Sequence, residues 1–469
     1  MNTIENLPDG AAFLARLRNK YRSFFAADSP LIIARAPGRL DVMGGIADYS
    51  GATVCEMPIA EAAFVALQGR DDELLRVRTT AAVAVNEVTI KLSDLPIEYA
   101  AARQALATNE ATHWAAYVLG AFVVLASEGG MSLAAGANIL LDSAVPLGKG
   151  VSSSAAIEVA TLRALTAAAG LEISSYELAT LAQIVENRIV GAPCGLMDQL
   201  TSVFGEQDHL LQIKCQPNGH IAPLAIPEGV HFIGIDSGVR HAVTGASYSE
   251  VRVAAFMGYR LIADHLNLKF EISDLQQVSI DDPLYHGFLC NIPVTGFRSR
   301  FLSLLPEQMR GDEFLARFGG TTDTITKVDP AKTYPVRAAT IHPVEEEARV
   351  RQFIASLAEP MTRENLTALG ALMYQAHASY SSCGLGSAAT DALVEAVRQA
   401  GPERGLFGAK ITGGGSGGTV AVLAIGQIGL AAITEIAAQH ARAFGITPYI
   451  FRGSSPGAMS VEPFLLESV

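Results

Sequence analysis
Residues 147–156, LGKGVSSSAA, constrain the fold of this 469-residue chain more than any other stretch. An alternating apolar run at 139–145 precedes them and predicts a strand. Residues 157–168 follow with apolar side chains at helical spacing and no breaker, which predicts a helix. The stretch is therefore a strand-to-helix turn. Gly148 and Gly150 let the backbone curl, and Lys149 and Val151 lie between and after them. Ser152, Ser153 and Ser154 set hydroxyls beside the free N–H groups of the first helical turn. Orphan N–H groups and the helix dipole both favour negative charge, so the turn suits a phosphate chain. The alternative is a serine N-cap behind a glycine turn.

Two glycine-rich patterns that also bind nucleotides fail on spacing. The phosphate-loop pattern needs four residues between its first Gly and Gly-Lys-Ser/Thr, which GKGVSS lacks. Near the C-terminus, KITGGGSGGTVAVL holds Gly413, Gly414, Gly415 and Gly418, yet TVAVLAI after them reads as a strand. The dinucleotide fingerprint requires a helix there. Glycines between two strands instead allow close approach of backbone or ligand.

Length predicts two or three domains. Polarity and proline content rise around 217–227, which places a boundary there, giving units 1–224 and 225–469. Within the second, residues 266–338 are polar and rich in Pro and Gly, and read as an irregular insertion. A net charge of −13 argues against nucleic-acid or anionic-membrane binding. The apolar stretch 111–127 carries Thr112, His113, Trp114 and Tyr117, and predicts a buried helix rather than a membrane span. Five scattered cysteines and an acidic N-terminus without an apolar run predict free thiols in a cytoplasmic protein.

Several further residues draw attention. LIIARAP predicts a strand ended by Pro37 and Gly38, followed by a glycine-dense loop carrying Arg39, Asp41, Asp48 and Tyr49. Glu186 lies near the C-terminal end of a helix predicted over 176–190, where the dipole disfavours a carboxylate. Either a nearby cation or a surface pairing with Arg188 would resolve this. Asp198, among Leu196, Met197 and Leu200, is a helix cap or a catalytic carboxylate.

APGRLDVMGG, PLGKGVSSSAA and ITGGGSGGT, in this order, resemble the motifs of the GHMP small-molecule kinases. The resemblance implies two α+β domains, a ribosomal-protein-like N-terminal one and a ferredoxin-like C-terminal one, with the active site between them. DYSG, Trp114 with Tyr117, and GLMDQ resemble the sugar-1-kinases of the galactokinase type. There the motif reads Gly-Glu-His-Thr-Asp-Tyr, whereas this chain has Gly44, Gly45, Ile46, Ala47, Asp48 and Tyr49. The Glu and His of that motif lie at the sugar's hydroxymethyl end, so Gly45 and Ile46 imply an apolar end. L-arabinopyranose is galactopyranose without the hydroxymethyl group. Longer stretches, among them ENRIVGAPCGLMDQLTS and ALMYQAHASYSSCGLGS, resemble the kinase portion of plant L-arabinokinases, which implies a stand-alone kinase.

The resemblance implies the following roles. ATP phosphates lie on Gly148, Lys149, Gly150, Val151, Ser152, Ser153 and Ser154, with Gly413, Gly414 and Gly415 closing over them. Mg²⁺ is held by Ser154 and Glu186. Asp198 accepts the anomeric hydroxyl proton and Arg39 neutralises charge on the transferred group. Asp48, Gly45, Ile46 and Tyr248 bind sugar, and Asp236 and His241 are structural. A small-molecule sugar and ATP are the expected partners, for a monomer or small homo-oligomer. Galactose phosphorylation and a non-catalytic sugar and ATP sensor stay open as alternatives.

Overall fold
The computed structural model describes residues 2–239, 246–274 and 276–467. The N-terminal sheet begins with β1 (Leu31–Met43) and β2 (Thr53–Gly69), two long antiparallel strands. β3 (Leu74–Thr79), β4 (Glu87–Lys91) and β5 (Ala137–Ser143) extend it beyond the second half of β2, with β3 parallel to β5. β6 (His209–Lys214) pairs with the first half of β2, and β7 (Ile221–Ala225) pairs with β6. Period-2 alternation assigns the two faces. Leu31, Ile33, Ala62, Phe64 and Ala66 face α1 (Pro8–Arg16) through Phe13 and Leu14. Ala34, Ala36, Ala63, Val65 and Leu67 belong to the main core. With both faces covered, the strands carry near-continuous apolar runs.

That core is closed by α2 (Tyr99–Ala107), α3 (Ala116–Ser127), α4 (Ser153–Ala169), α5 (Ser175–Ile184) and α6 (Met197–Phe204). The predicted 111–127 helix is shorter, a 3₁₀ turn at His113–Ala115 leading into α3. α5 widens into a π-helical turn over Val185–Val190 before stopping at Gly191.

β8 (Val230–Asp236), β9 (Leu406–Ile411), β10 (Thr419–Ile425) and β11 (Ile450–Phe451) form a second sheet, antiparallel, in the order β9-β10-β8-β11. Strand pairing thus changes sheet between Ala225 and Val230, but the second unit is not contiguous. β12 (Phe464–Leu466) returns to pair with the edge of β1 in the first sheet. α7 (Ala246–His265), α8 (Val336–Leu357), α9 (Arg363–Ser382), α10 (Ala388–Ala400) and α11 (Gly426–Phe444) complete the half. One face of its sheet packs on α10 and α11. Through Phe232, Ala421 and Leu423 the other joins the N-terminal core by way of α8 and α9. The insertion read at about 266–338 lies between α7, which ends at His265, and α8, which starts at Val336 and runs through Pro343. It holds an antiparallel hairpin, Lys269–Asp274 with Gln277–Asp281, and a helix, Gly311–Phe318.

The expected strand end at Pro37 and Gly38 is not found. β1 continues to Met43, with register shifts between Pro37 and Arg39 and between Asp41 and Met43. Pro37 is accommodated because an irregular ladder position needs no N–H donor, and such irregularities re-aim the side chains that follow. Arg39 and Asp41 are therefore strand residues rather than loop residues.

Asp41 ties the halves together. Its carboxylate meets the Lys410 ammonium of β9 at 2.7 Å, with both side chains fully buried. It also accepts the N–H groups of Gly45 and Gly413, each at 3.1 Å. Removing one partner of such a pair leaves an uncompensated buried charge. Lys410→Met should therefore lower unfolding free energy by about 3–5 kcal/mol, measured by urea titration.

Candidate active site
The turn after β5 has Gly148 and Gly150 at φ +71° and +69°, and Ser152 at φ +58°, ψ +48°. Ser152 is thus a non-glycine residue in left-handed backbone at the entry to α4, and its side chain makes no cap. Its hydroxyl is buried and has no hydrogen-bond partner among the described residues. The serine-cap alternative is not what the turn forms. Gly148, Gly150 and Ser152 to Ser154 instead line a cavity at the N-terminus of α4. Val151 points inward, and its carbonyl accepts the Arg39 N–H at 3.1 Å. The ammonium of Lys149, to which the resemblance gives a phosphate-binding role, is paired with Asp236 at 2.7 Å.

Arg39 and Asp198 face the same cavity. Nε and Nη2 of Arg39 converge on Oδ1 of Asp198 at 2.9 and 2.7 Å. Nη1 donates to the Gly150 carbonyl at 2.7 Å, tying the pair to the turn. Burial alone would depress the guanidinium, but Asp198, Glu56 and Asp41 hold it above its ordinary value. Asp198 is not a cap, since α6 begins at Met197 with Leu196 in the cap position.

Asp48 is buried and lines the same cavity. Burial and the Asp198 charge push its carboxyl up to about 7, against the pull of Arg252, the Tyr49 N–H and Arg39. Gly195 is required beside it, because a Cβ there would stand 1.7 Å from Asp48 Oδ2. Ile46 and Tyr248 complete this end of the cavity, and Tyr248 meets Tyr49 edge-on with centroids 6.1 Å apart. Gly45, expected with them, is set back from the cavity. At its φ of +46°, a Cβ would lie 1.5 Å from the Tyr380 hydroxyl. That hydroxyl accepts the Ile46 N–H at 2.8 Å and donates to the Gly413 carbonyl at 3.0 Å.

Glu186, 1% exposed, is no surface residue, so the Arg188 pairing is excluded. Its carboxylate accepts from Gln199 at 2.8 Å, and the neighbouring Ser154 hydroxyl favours its ionised form. Burial first and Asp198 second push it up to about 7. Glu158 on α4, fully buried, reaches the same Gln199 amide at 3.4 Å. Burial and then Glu186 raise its carboxyl well above the usual range.

Gly413 and Gly414 line the cavity from the second half, while Gly415 packs back against Leu385. Thr419 bonds the Lys149 carbonyl at 2.9 Å, holding the glycine loop on the turn. A second, largely apolar groove shares Gly148, Ser153 and Ser154 with the cavity and is walled by Trp114, Tyr117, Leu141, Val145 and Ile157. His241 and its neighbour Arg240 lie outside the described residues.

Sequence reasoning missed Glu56, Glu158, Arg252, Tyr380 and Lys410. Glu158 and Lys410 did leave a signal, since each is a lone charge in an otherwise apolar run. Tyr380 left none, because its role arises only where α9 meets the 45–46 backbone.

Three family models match the chain: a galactokinase galactose-binding signature over 19–68, the GHMP kinase N-terminal domain over 116–206 and the GHMP kinase C-terminal domain over 354–443. It is 30% identical to a galactokinase of Chloroflexus aurantiacus, covering 92% of this chain and 90% of that one. The chain belongs to the GHMP kinase family. Within the family it is a sugar kinase of the galactokinase and L-arabinokinase type, a phosphotransferase whose acceptor is a sugar hydroxyl. It is 42% identical to the L-arabinokinase of Arabidopsis thaliana across 94% of this chain, and spans 47% of that relative's length. The Lactococcus lactis galactokinase solved with galactose has the same fold, at a TM-score of 0.74 and 18% identity, over 95% of this chain and 99% of that one. Among the described residues, no helix is long and apolar enough to cross a membrane.

Gly45→Ala combines a left-handed backbone with the Tyr380 overlap. It should destabilise the protein by about 1–3 kcal/mol, read from the unfolding midpoint. Ala at 44, beside it in sequence, is not a suitable control, because Gly44 also has a positive φ of 112°.

Proposed function
We propose that this enzyme transfers the γ-phosphoryl group of ATP to the anomeric hydroxyl of L-arabinose, giving L-arabinose 1-phosphate. One observation carries the reading. A single cavity brings together the N-terminus of α4, the Arg39–Asp198 pair and an apolar wall at Ile46. The triphosphate fits along Gly148, Gly150 and Ser152 to Ser154, where the unpartnered Ser152 hydroxyl is available to a phosphate oxygen. The adjoining groove of Trp114 and Tyr117 suits the flat apolar base.

The residues also fit Mg²⁺. Glu186 is buried among an acid, a hydroxyl, a thiol and an amide. Among the described residues no cluster of three His, Cys, Asp or Glu side chains could hold a metal. One carboxylate with the Ser154 hydroxyl, completed by phosphate oxygens, is an arrangement Mg²⁺ commonly takes. Bound there, Mg²⁺ neutralises phosphate charge that would otherwise repel the attacking oxygen.

Nε and Nη2 of Arg39 both engage Oδ1 of Asp198, so Oδ2 is available to take the proton of the anomeric hydroxyl as its oxygen attacks. The Arg39 guanidinium, fixed on Gly150, offsets charge developing on the transferred group. Phosphoryl transfer depends chiefly on positioning and charge stabilisation, which these groups supply. Asp48 and Tyr248 hold ring hydroxyls. Ile46 offers a galactose hydroxymethyl no hydrogen bond, and an unpaired polar group discriminates strongly. A galactose-binding signature over 19–68 favours galactose as the second reading.

ADP release with ATP and Mg²⁺ against L-arabinose, D-galactose and no sugar separates the two readings. Fastest turnover with L-arabinose, giving the 1-phosphate, is expected, whereas preference for galactose would overturn the role of Ile46. Asp198→Asn should lower turnover by about 10²–10⁴-fold while nucleotide binding, followed by calorimetry, persists. The acid limb of kcat/KM for sugar should fall near pH 7, because Asp48 accepts sugar hydroxyls fully only when ionised and its carboxyl is pushed up to about 7. Asp48→Asn should abolish that limb along with much of the sugar affinity.

A further inference from the structure
The insertion between α7 and α8 reaches the sugar end of the cavity through one ion pair. Arg252 lies one helical turn after Tyr248 on α7, so both side chains project from the same face. Its guanidinium grips Asp323 of the insertion in a two-pronged bond, Nε to Oδ2 at 2.7 Å and Nη2 to Oδ1 at 2.8 Å. The two side chains are 6% and 2% exposed. The remaining nitrogen, Nη1, donates to the carbonyl of Cys194 at 3.1 Å, immediately before Gly195, the residue on which Asp48 rests. The plane of the guanidinium is set by aromatic neighbours, with the Tyr49 centroid 5.4 Å away and that of Phe256 5.7 Å away.

Asp323 is itself fixed. It accepts from the Thr326 hydroxyl at 2.5 Å, from the Ile325 N–H at 3.1 Å and from the Thr326 N–H at 3.3 Å. Although burial works the other way, Arg252 and these donors hold its carboxyl below the usual range. Two of the five guanidinium N–H groups of Arg252 thus go to the insertion loop and one to the cavity wall. A buried ion pair of this kind contributes little net stability compared with apolar residues of similar size, so geometry rather than stability accounts best for it. Arg also suits the task better than Lys, since only its planar fork can hold a carboxylate, a carbonyl and an aromatic face at once.

We propose that the Arg252–Asp323 pair is a positioning device for sugar binding: the insertion, through Asp323, fixes Arg252, and Arg252 fixes Tyr49, the Cys194–Gly195 backbone and the Asp48 carboxylate against the sugar. Neither residue touches the reacting atoms. The groups that act on Asp48 come from every side: Asp198 on α6, Arg39 on β1, Arg252 and Tyr248 on α7, and the Tyr49 N–H from its own turn. Arg252 is the first-ranked attraction among them, and opposes the repulsion from Asp198. Its removal therefore has two separable effects, a looser pocket and a carboxylate that protonates at higher pH. This inference rests on the sugar-kinase reading of the cavity.

The test uses the full chain and three variants, Asp323→Asn, Arg252→Gln and Arg252→Lys, each checked for wild-type circular dichroism. Steady-state rates are measured with ATP and Mg²⁺ against the sugar the wild-type enzyme prefers. All three should raise the sugar KM by at least ~10-fold, leaving the ATP KM within about twofold. Arg252→Gln should in addition move the acid limb of kcat/KM for sugar to higher pH. Arg252→Lys, which keeps the charge and loses the fork, should leave that limb nearly in place. Folded variants with a wild-type sugar KM would overturn the inference, as would variants in which sugar and ATP KM rise together or in which only the unfolding temperature changes. A wild-type enzyme that turns over no sugar would instead remove the underlying reading, and this inference with it.

Discussion
Arg39 is the charge around which both halves of the molecule are arranged. It is buried, and a buried guanidinium is tolerable only with acids beside it. Asp198 meets it at 2.7 Å from α6 and Glu56 at 3.2 Å from β2. Asp41, two residues along β1, adds its field and is itself neutralised by Lys410 of the second sheet. The network thus runs from the cavity through β1 into β9. Burial and Asp41 push the Glu56 carboxyl well above the usual range, against the pull of Arg39 and Lys410.

This network also fixes the relation of the two sheets. Asp41 holds the N–H groups of Gly45 and Gly413, and Tyr380 bridges Ile46 to the Gly413 carbonyl. The sugar-side turn and the glycine loop are therefore bound to the same two side chains. Tyr380 is fully buried, with the His342 ring edge-on at a centroid distance of 5.2 Å and the Lys410 ammonium 5.3 Å from its own centroid. A side chain at position 45 and this tyrosine cannot share the space. Loss of a polar group at 45 and the presence of Tyr380 are thus one packing solution rather than two separate features.

Much of this was legible in the sequence. The strand-turn-helix around Gly148 to Ser154 and a buried helix within 111–127 follow from spacing and periodicity, whereas the grouping of Arg39, Asp48, Glu186 and Asp198 was implied only by the resemblance to the GHMP kinases. The errors share a cause. Pro37 read as a strand end because local propensity penalises proline in a ladder, while the irregular pairing with β2 removes the penalty. The pairing of Lys149 with Asp236, 87 residues away, was likewise invisible to its neighbours in sequence.

By itself the sequence determined a strand-turn-helix whose glycines and serines leave a helix N-terminus open, a local fact written in spacing and residue type. The pairing of a carboxylate with an arginine, and an apolar residue at Ile46, were implied by its resemblance to the GHMP kinases. Only the tertiary structure decided which charges neutralise each other, which hydroxyl fills the space beside Gly45, and that the insertion reaches the cavity wall through Asp323 and Arg252. Such choices depend on burial and on distances between residues far apart in the chain. The cost of an unpaired charge appears only once packing has excluded water, so no reading of neighbouring residues could have settled them.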